Sequence, residues 1–372
     1  MKLIFPVNTS WNLYNFRLPL VLRLRAQGHE VILASPQDSY TERLKGEGFR
    51  WVDISLTRSG LNPFSELRSI RQIYWIHRRE RPDLVHHFTV KCVIYGSLAA
   101  RLLVMTRVFN SITGLGYIFS EARPPINLLQ ALVMLMFKLS TRGTTIIFQN
   151  PENRATFIRN GWSTEAASHL VRSSGVDLER FCPVKPAEGI VTVMLAARML
   201  KDKGIHEFVE AARLLRERGV DFRAVLVGDE DAGNPSSIQV EQLRRWESEG
   251  VVESWGWQER LQDALAKAHI VCLPSYYGEG LPMSLVEAAV CALPIVATDA
   301  PGCREVVRNH VNGLLAAPQD SVQIADALQL LIGHPDLRTR FGGRSREIAA
   351  NFYRDRILDR MFQIYGNFST AS

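Results

Sequence analysis

Residues 269–300 read HIVCLPSYYGEGLPMSLVEAAVCALPIVATDA. An apolar run, HIVCLPS, meets a tyrosine and glycine loop, YYGEG. A helical stretch, LPMSLVEAAVCA, follows, and a second apolar run, PIVATDA, closes the segment. Short near-continuous Val/Ile/Leu runs on either side of a helix make a β-α-β unit in a parallel sheet covered on both faces. Pro282 near the first helical turn fits, because the N–H it lacks has no partner there in any residue.

The rhythm continues in both directions. VTVMLAAR, FRAVLVGD and VVESWGW precede this segment as strands; LIFPV, HEVILAS, PDLVHHF, TRVFNSI and TTIIFQN form an earlier set. Two sets of alternating strands and helices predict an α/β protein with two Rossmann-like domains. The change of domain falls in RSSGVDLERFCPVKPAEG, rich in Gly, Pro and Ser. The expected division is an N-terminal domain over 1–172, a C-terminal domain over 173–352, and a final amphipathic helix over 353–372. A chain of 372 residues is too long for one ordinary core.

Charge is uneven. Residues 1–172 carry 22 Lys/Arg against 11 Asp/Glu, and residues 173–372 carry 22 against 27. The basic first part predicts an anionic partner: a membrane surface, a phosphate-bearing substrate or nucleic acid. Nucleic acid is the poorest fit, since no recognised module is present and aromatics are not interleaved with the charges as a stacking platform. RPPINLLQALVMLMFKLSTRG, with Arg123, Lys138 and Arg142 at its ends, reads as an interfacial helix or a buried core helix. The arginine-rich SELRSIRQIYWIHRRERPD adds to that surface. No apolar run is long enough to span a bilayer, no signal peptide is evident, and five scattered cysteines fit a reducing cytosol.

Ligands of open parallel sheets bind beyond the carboxyl ends of the strands. Glu279 lies in the loop of the opening segment and Glu287, eight positions on, in its helix. Carboxylates accept hydrogen bonds from vicinal diols, so both are candidate sugar ligands; the plain alternative is a solvated loop and an exposed helix face. A helix start presents backbone N–H groups and partial positive charge to a phosphate or hydroxyl. Arg198 and Lys203 follow the strand VTVMLAA and can cradle a diphosphate. Asp229 and Asp231 form a D-x-D that can hold Mg²⁺ or Mn²⁺, or that serves turn chemistry. His86 and His87 end PDLVHHF, where a ring can reach a ligand or pack within the core.

Arg198-x4-Lys203-Gly204, the segment EGLPMSLVEAAVCALPIVATDAPGCREVV and SSGVDLERF together resemble the retaining glycosyltransferases of family four. NTSWNLYNFRLPL, LTRSGLNPF, HHFTVKCVIYGSLAARL and NSITGLGYIF resemble the branch that extends sugars on a polyprenyl-diphosphate carrier in bacterial surface polysaccharide or glycan assembly. The resemblance implies the GT-B fold, two Rossmann-like domains facing across a cleft, with the last helix crossing back to the first. It implies a retaining hexosyl- or N-acetylhexosaminyltransferase that uses a nucleotide sugar, UDP-linked, and a lipid-diphosphate-linked acceptor, without a metal. It places the enzyme in the cytoplasm on the inner face of the plasma membrane, with no nucleic-acid partner. Arg198 and Lys203 match the pair holding the donor diphosphate, Glu279 the carboxylate beside the donor sugar, and Glu287 the ribose ligand. Backbone N–H groups of Gly280 and Leu281 face the sugar or phosphate. The family's Gly-Gly loop is replaced by NTSWNLYN. Its first-domain His position holds Thr113, which leaves Thr113, His86 and His87 as candidate sugar contacts. A UDP-sugar epimerase of the same architecture, and transfer of a hexose or deoxyhexose from another nucleotide, are the alternatives.

Overall fold

The computed structural model describes residues 1–56, 63–114, 128–183, 189–231, 234–276 and 278–366. The chain opens with β1 (Lys2–Pro6) and α1 (Ser10–Asn12), which runs through a π-helical turn at Leu13–Arg17 into α2 (Leu18–Ala26). Then come β2 (Glu30–Ser35), α3 (Thr41–Gly46), β3 (Arg50–Asp53), α4 (Pro63–Glu80), β4 (Leu84–Phe88) and α5 (Val90–Leu102). The first sheet is completed by β5 (Val108–Ile112), α6 (Leu128–Thr141), β6 (Thr145–Phe148), α7 (Pro151–Arg159) and β7 (Ser168–Leu170). The second begins with β8 (Thr192–Ala196), a 3₁₀ turn at Lys201–Lys203, α8 (Ile205–Glu217), β9 (Arg223–Val227), α9 (Val240–Ser248) and β10 (Glu253–Ser254). It continues with α10 (Leu261–Leu265), β11 (Ile270–Leu273), α11 (Met283–Val290), β12 (Ile295–Thr298), α12 (Pro301–Arg304) and β13 (Gly313–Ala316). The last helices are α13 (Ser321–Gly333), α14 (Pro335–Ala349) and α15 (Arg354–Tyr365).

Two compact units form: Met1–Gly175 with the chain from Arg354 onward, and Val176–Tyr353. Both sheets are parallel throughout, in the orders β3-β2-β1-β4-β5-β6-β7 and β10-β9-β8-β11-β12-β13. Each is a Rossmann-like, doubly wound sheet. The connections reverse direction between β1 and β4 in one and between β8 and β11 in the other, and such a reversal opens a crevice at the strands' carboxyl ends.

The central strands are buried along their length, as in TVMLA of β8 and IVCL of β11. At roughly 1.5–3 kcal/mol for each large apolar side chain removed from water, these runs drive the sheets to form inside a helical cover. Three strands, β3, β7 and β13, lie outside the apolar runs read from the sequence. All three are sheet edges, where one side of the ladder has no partner strand and the run is short.

In the first unit, α15 packs on the sheet through Ile357, Leu358, Met361 and Tyr365. The Tyr365 hydroxyl meets His86 Nδ1 at 2.5 Å, and His86 Nε2 meets Ser111 Oγ at 2.8 Å. His86 and His87 are fully buried within β4. Alternation along the strand sends His87 to the opposite face, where Nδ1 lies 2.9 Å from Asn110 Oδ1. A Cβ on Gly96 of α5 would come within 2.2 Å of the His87 ring. Burial holds both imidazoles neutral, His86 well below the ordinary range and His87 at about 4. This corrects the expectation that either ring reaches a sugar: both are packed core histidines.

Candidate active site at the switch point of the second sheet

β8 and β11 are neighbours, so the segments leaving their carboxyl ends meet. Arg198 and Lys203 follow β8, and Ser275 and Glu279 follow β11. Gly204 ends the turn that carries Lys203, at φ +77. A Cβ there would lie 2.2 Å from the Pro274 carbonyl oxygen, so only glycine lets the start of α8 close onto the β11 loop. The Tyr276 N–H (3.1 Å) and the Ser275 hydroxyl (3.2 Å) donate to the Asp202 carbonyl oxygen and tie the two segments together.

This docking brings the Lys203 ammonium onto Glu279 Oε1, which also accepts from Ser275 Oγ at 3.3 Å. Both members of the ion pair are largely buried, with side-chain exposures of 12% and 14%. On the other side of Glu279, Gly302 of α12 packs so closely that a Cβ would lie 3.0 Å from the Gly280 carbonyl oxygen and 3.1 Å from Glu279 Cβ. The neighbouring Cys303 thiol is pushed up to about 12 by burial, with Glu279 adding to that and Lys203 opposing it.

Arg198 is more open, at 40% side-chain exposure, and donates to Asp231 Oδ2 at 2.5 Å. Asp231 is itself fastened: its N–H donates to Ser237 Oγ and its carboxylate accepts from Asn234 Nδ2, both at 3.0 Å. Asp229 Oδ1 accepts from the Trp257 N–H at 3.0 Å. The D-x-D therefore forms an arginine partner and a turn; among the described residues no cluster of three metal-ligating side chains occurs. Asp231 as the anchor of Arg198 was not legible beforehand. The only hint was an acidic residue after the strand next to β8.

The helix of the opening segment is shorter than its sequence implies. Pro282 is extended, at φ −70 and ψ 108, and α11 starts at Met283. Gly280 and Leu281 thus precede the helix, and the Leu281 side chain is buried. Glu287 lies a little over one turn inside α11. Desolvation raises its carboxyl to about 7, with Arg180 pulling it back. Arg198, Lys203, Glu279, Gly280, Leu281 and Glu287 all lie in the second unit. Thr113 lies in the first, at the end of β5, with Arg17 and Ser111 around one pocket. Tyr277, Arg123, residues 57–62 of LTRSGLNPF, residues 115–119 of NSITGLGYIF and residues 184–188 of the interdomain segment lie outside the described residues.

Comparisons with known proteins bear on the family and the fold. Residues 190–334 match the family "Glycosyl transferases group 1", and residues 2–150 match "Glycosyl transferase 4-like". The N,N'-diacetylbacillosaminyl-diphospho-undecaprenol α-1,3-N-acetylgalactosaminyltransferase of Campylobacter jejuni is 28% identical over 98% of this chain and 98% of its own. The UDP-Gal:α-D-GlcNAc-diphosphoundecaprenol α-1,3-galactosyltransferase of Escherichia coli is 24% identical over 71% of this chain and 70% of its own. The crystal structure of HepE from Anabaena, in complex with UDP and glucose, is 18% identical. It covers 99% of this chain and 100% of that one with a TM-score of 0.80. A group 1 match in the second half and a 4-like match in the first, on two doubly wound sheets, make the chain a glycosyltransferase with the GT-B fold.

Proposed function

We propose that this glycosyltransferase moves an N-acetylhexosamine from UDP to a polyprenyl-diphosphate-linked sugar in bacterial polysaccharide or glycan assembly, with retention of anomeric configuration. The observation that carries the reading is the meeting of Lys203 and Glu279 at the switch point of the second sheet, on the segments that leave β8 and β11. The names of the Campylobacter and Escherichia relatives supply the acceptor class.

On this reading Arg198 and Lys203 hold the donor diphosphate and stabilise the charge that builds on it as the glycosidic bond breaks. Such preorganised electrostatics is usually the largest catalytic term. The transition state is oxocarbenium-like, and the acceptor attacks from the face the phosphate leaves, giving up its proton to that phosphate. Glu279 is a positioner: it holds Lys203 and the donor sugar. Glu287 accepts from the ribose hydroxyls, and the N–H groups around Gly280 and Leu281 meet the sugar or phosphate. No metal takes part.

The enzyme works at the cytoplasmic membrane surface, with the first unit facing the lipid. Along α4 the exposed side chains are Phe64, Leu67, Arg68, Arg71, Trp75, Arg78 and Arg79, one stripe that is both apolar and basic. Leu132, Leu135 and Leu139 form an exposed apolar stripe on α6, whose other side buries Phe137. Cationic and aromatic side chains on one helix face suit an anionic interface. Among the described residues no helix is long and apolar enough to cross a membrane.

The test is a panel of nucleotide sugars against a pool of lipid-diphosphate sugars, read by mass spectrometry, with product anomers assigned by NMR. Product from UDP-N-acetylhexosamine with retained configuration supports the proposal. Conversion of the donor with no acceptor present makes the enzyme an epimerase, and inversion removes the front-face route. Binding to anionic but not neutral vesicles, lost in Leu135→Glu, tests the membrane face.

A further inference from the structure

The first sheet has its own switch point, between β1 and β4. There the structure holds a second cationic site, built on Arg17, to which the motif reading gave no role. Thr9 caps α1 by accepting from the Asn12 N–H at 3.0 Å, and the chain then widens into the π-helical turn Leu13–Arg17. π-turns are rare and recur at functional sites. This one delivers Arg17 to the carboxyl ends of the strands. The guanidinium lies over the Phe88 ring, 4.2 Å from its centroid, where β4 ends. It is 7% exposed.

Its hydrogen bonding is incomplete. Arg17 Nη1 donates to Ser174 Oγ at 3.0 Å, while Nε is buried without an acceptor. Among the described residues no carboxylate pairs with it. A buried guanidinium whose partners are a neutral hydroxyl and an aromatic face bears the desolvation cost without the Coulombic return of a carboxylate. Burial lowers its pKa to about 10, so the charge persists at neutral pH. The group lines a pocket into which Ser111, Thr113, Gln149, Ser173 and Ser174 also face. Ser111 is set there by the Tyr365–His86–Ser111 chain. The pocket thus holds one buried cation and five hydroxyl or amide side chains within otherwise apolar walls, which include Leu358 and Met361 of α15.

We propose that this pocket is an anion site that takes a phosphoryl group of the diphosphate-linked acceptor, with Arg17 as its charged ligand and Thr113 among its hydroxyl ligands. Guanidinium donors and phosphoryl oxygens match in number and geometry, and the pair is charge-assisted. The assignment of the phosphoryl group to the acceptor rests on the function proposed above. The presence of an anion site rests only on Arg17 and its surroundings.

The experiment compares wild type, Arg17→Lys and Arg17→Met in the full chain, with inorganic pyrophosphate as the probe. UDP is kept saturating, so that the cations of the second unit are occupied. Pyrophosphate raises the Tm of wild type by several degrees, of Arg17→Lys by less, and of Arg17→Met not at all. With a short-chain lipid-diphosphate sugar, Arg17→Met raises the acceptor KM by about 30-fold and leaves the donor KM within about threefold. Arg17→Met also keeps or raises the ligand-free Tm, because it removes an unpaired buried charge. A structural arginine behaves the opposite way: Tm falls by about 5 °C or more and acceptor KM is unchanged, which overturns the proposal. Equal pyrophosphate protection of wild type and Arg17→Met overturns it as well. If protection needs Arg17 but no lipid-diphosphate sugar is a substrate, the anion site stands and the acceptor reading falls. If the acceptor is used and its KM ignores Arg17, the acceptor reading stands and this assignment falls.

Discussion

The Lys203 ammonium is bonded to the Glu279 carboxylate across 76 positions of chain, and both side chains are largely buried. Neither residue could hold that geometry from its own loop. It exists because β8 and β11 are adjacent and because Gly204 permits the following helix to close onto Pro274.

Gly204→Ala tests that closure. The new Cβ must lie 2.2 Å from the Pro274 carbonyl oxygen at φ +77. Gly219 has nearly the same backbone, φ +71, with no atom within 4 Å of a Cβ. Gly219→Ala is expected to cost about 1 kcal/mol, the price of a left-handed alanine, and Gly204→Ala at least twice as much. Denaturant midpoints of the two variants give the comparison; equal losses would mean that the contact is not rigid.

Lys203→Ala and Arg198→Ala are each expected to lower kcat by ~10²–10³ with donor saturating, the size of one lost transition-state donor. Glu279→Gln should also lose turnover, since it releases Lys203. The double variant Lys203→Ala/Glu279→Gln is expected to lose less than the product of the single losses, because contacting residues do not act additively. Full turnover of Glu279→Gln with saturating donor would remove Glu279 from the site.

Asp231→Asn frees Arg198 from its anchor while keeping the side chain's shape. The pair is partly exposed, so donor KM is expected to rise only several-fold, at most about tenfold, and far less than in Arg198→Ala. Activity is expected to be unchanged by EDTA in wild type and variant. A loss restored by Mg²⁺ would reassign Asp229 and Asp231 as metal ligands.

Glu287 makes a pH prediction. Its carboxyl sits at about 7 in the folded chain, above its ordinary 4.5, because burial penalises the ionised form. Below about 4.5 both folded and unfolded chains hold the proton and nothing is lost. Stability then falls as pH rises towards 7, and above 7 the full cost is present, with a ceiling of ~3 kcal/mol. Glu287→Gln should therefore raise Tm at pH 8 more than at pH 5. If ionised Glu287 accepts from the ribose hydroxyls, donor KM falls as pH rises through 7, and the Gln variant flattens that profile.

Tyr365→Phe removes the hydroxyl that meets buried His86 Nδ1. Leaving that atom unpaired is expected to cost about 1–3 kcal/mol, read as a shifted denaturant midpoint. A neutral outcome would show that the hydroxyl contributes nothing to holding α15 on the sheet.

Most of the ten strands legible in the sequence sit in near-continuous apolar runs, because a strand covered on both faces must be apolar along its length; β10, Glu253–Ser254, is a polar edge. β3, β7 and β13 escaped notice as short sheet edges. The rhythm of strand and helix therefore determined the fold class, and the cations after β8 and the glutamates around α11 marked one end of one sheet. Tertiary structure alone decided which charges meet. Glu279 pairs with Lys203, Asp231 with Arg198, and neither His86 nor His87 leaves the core. Arg17 looks like one more basic residue of a basic half, and only the packed sheet shows it buried without a carboxylate among the described residues. Charge and burial of a side chain are set by what the rest of the chain places around it, and that information is not local.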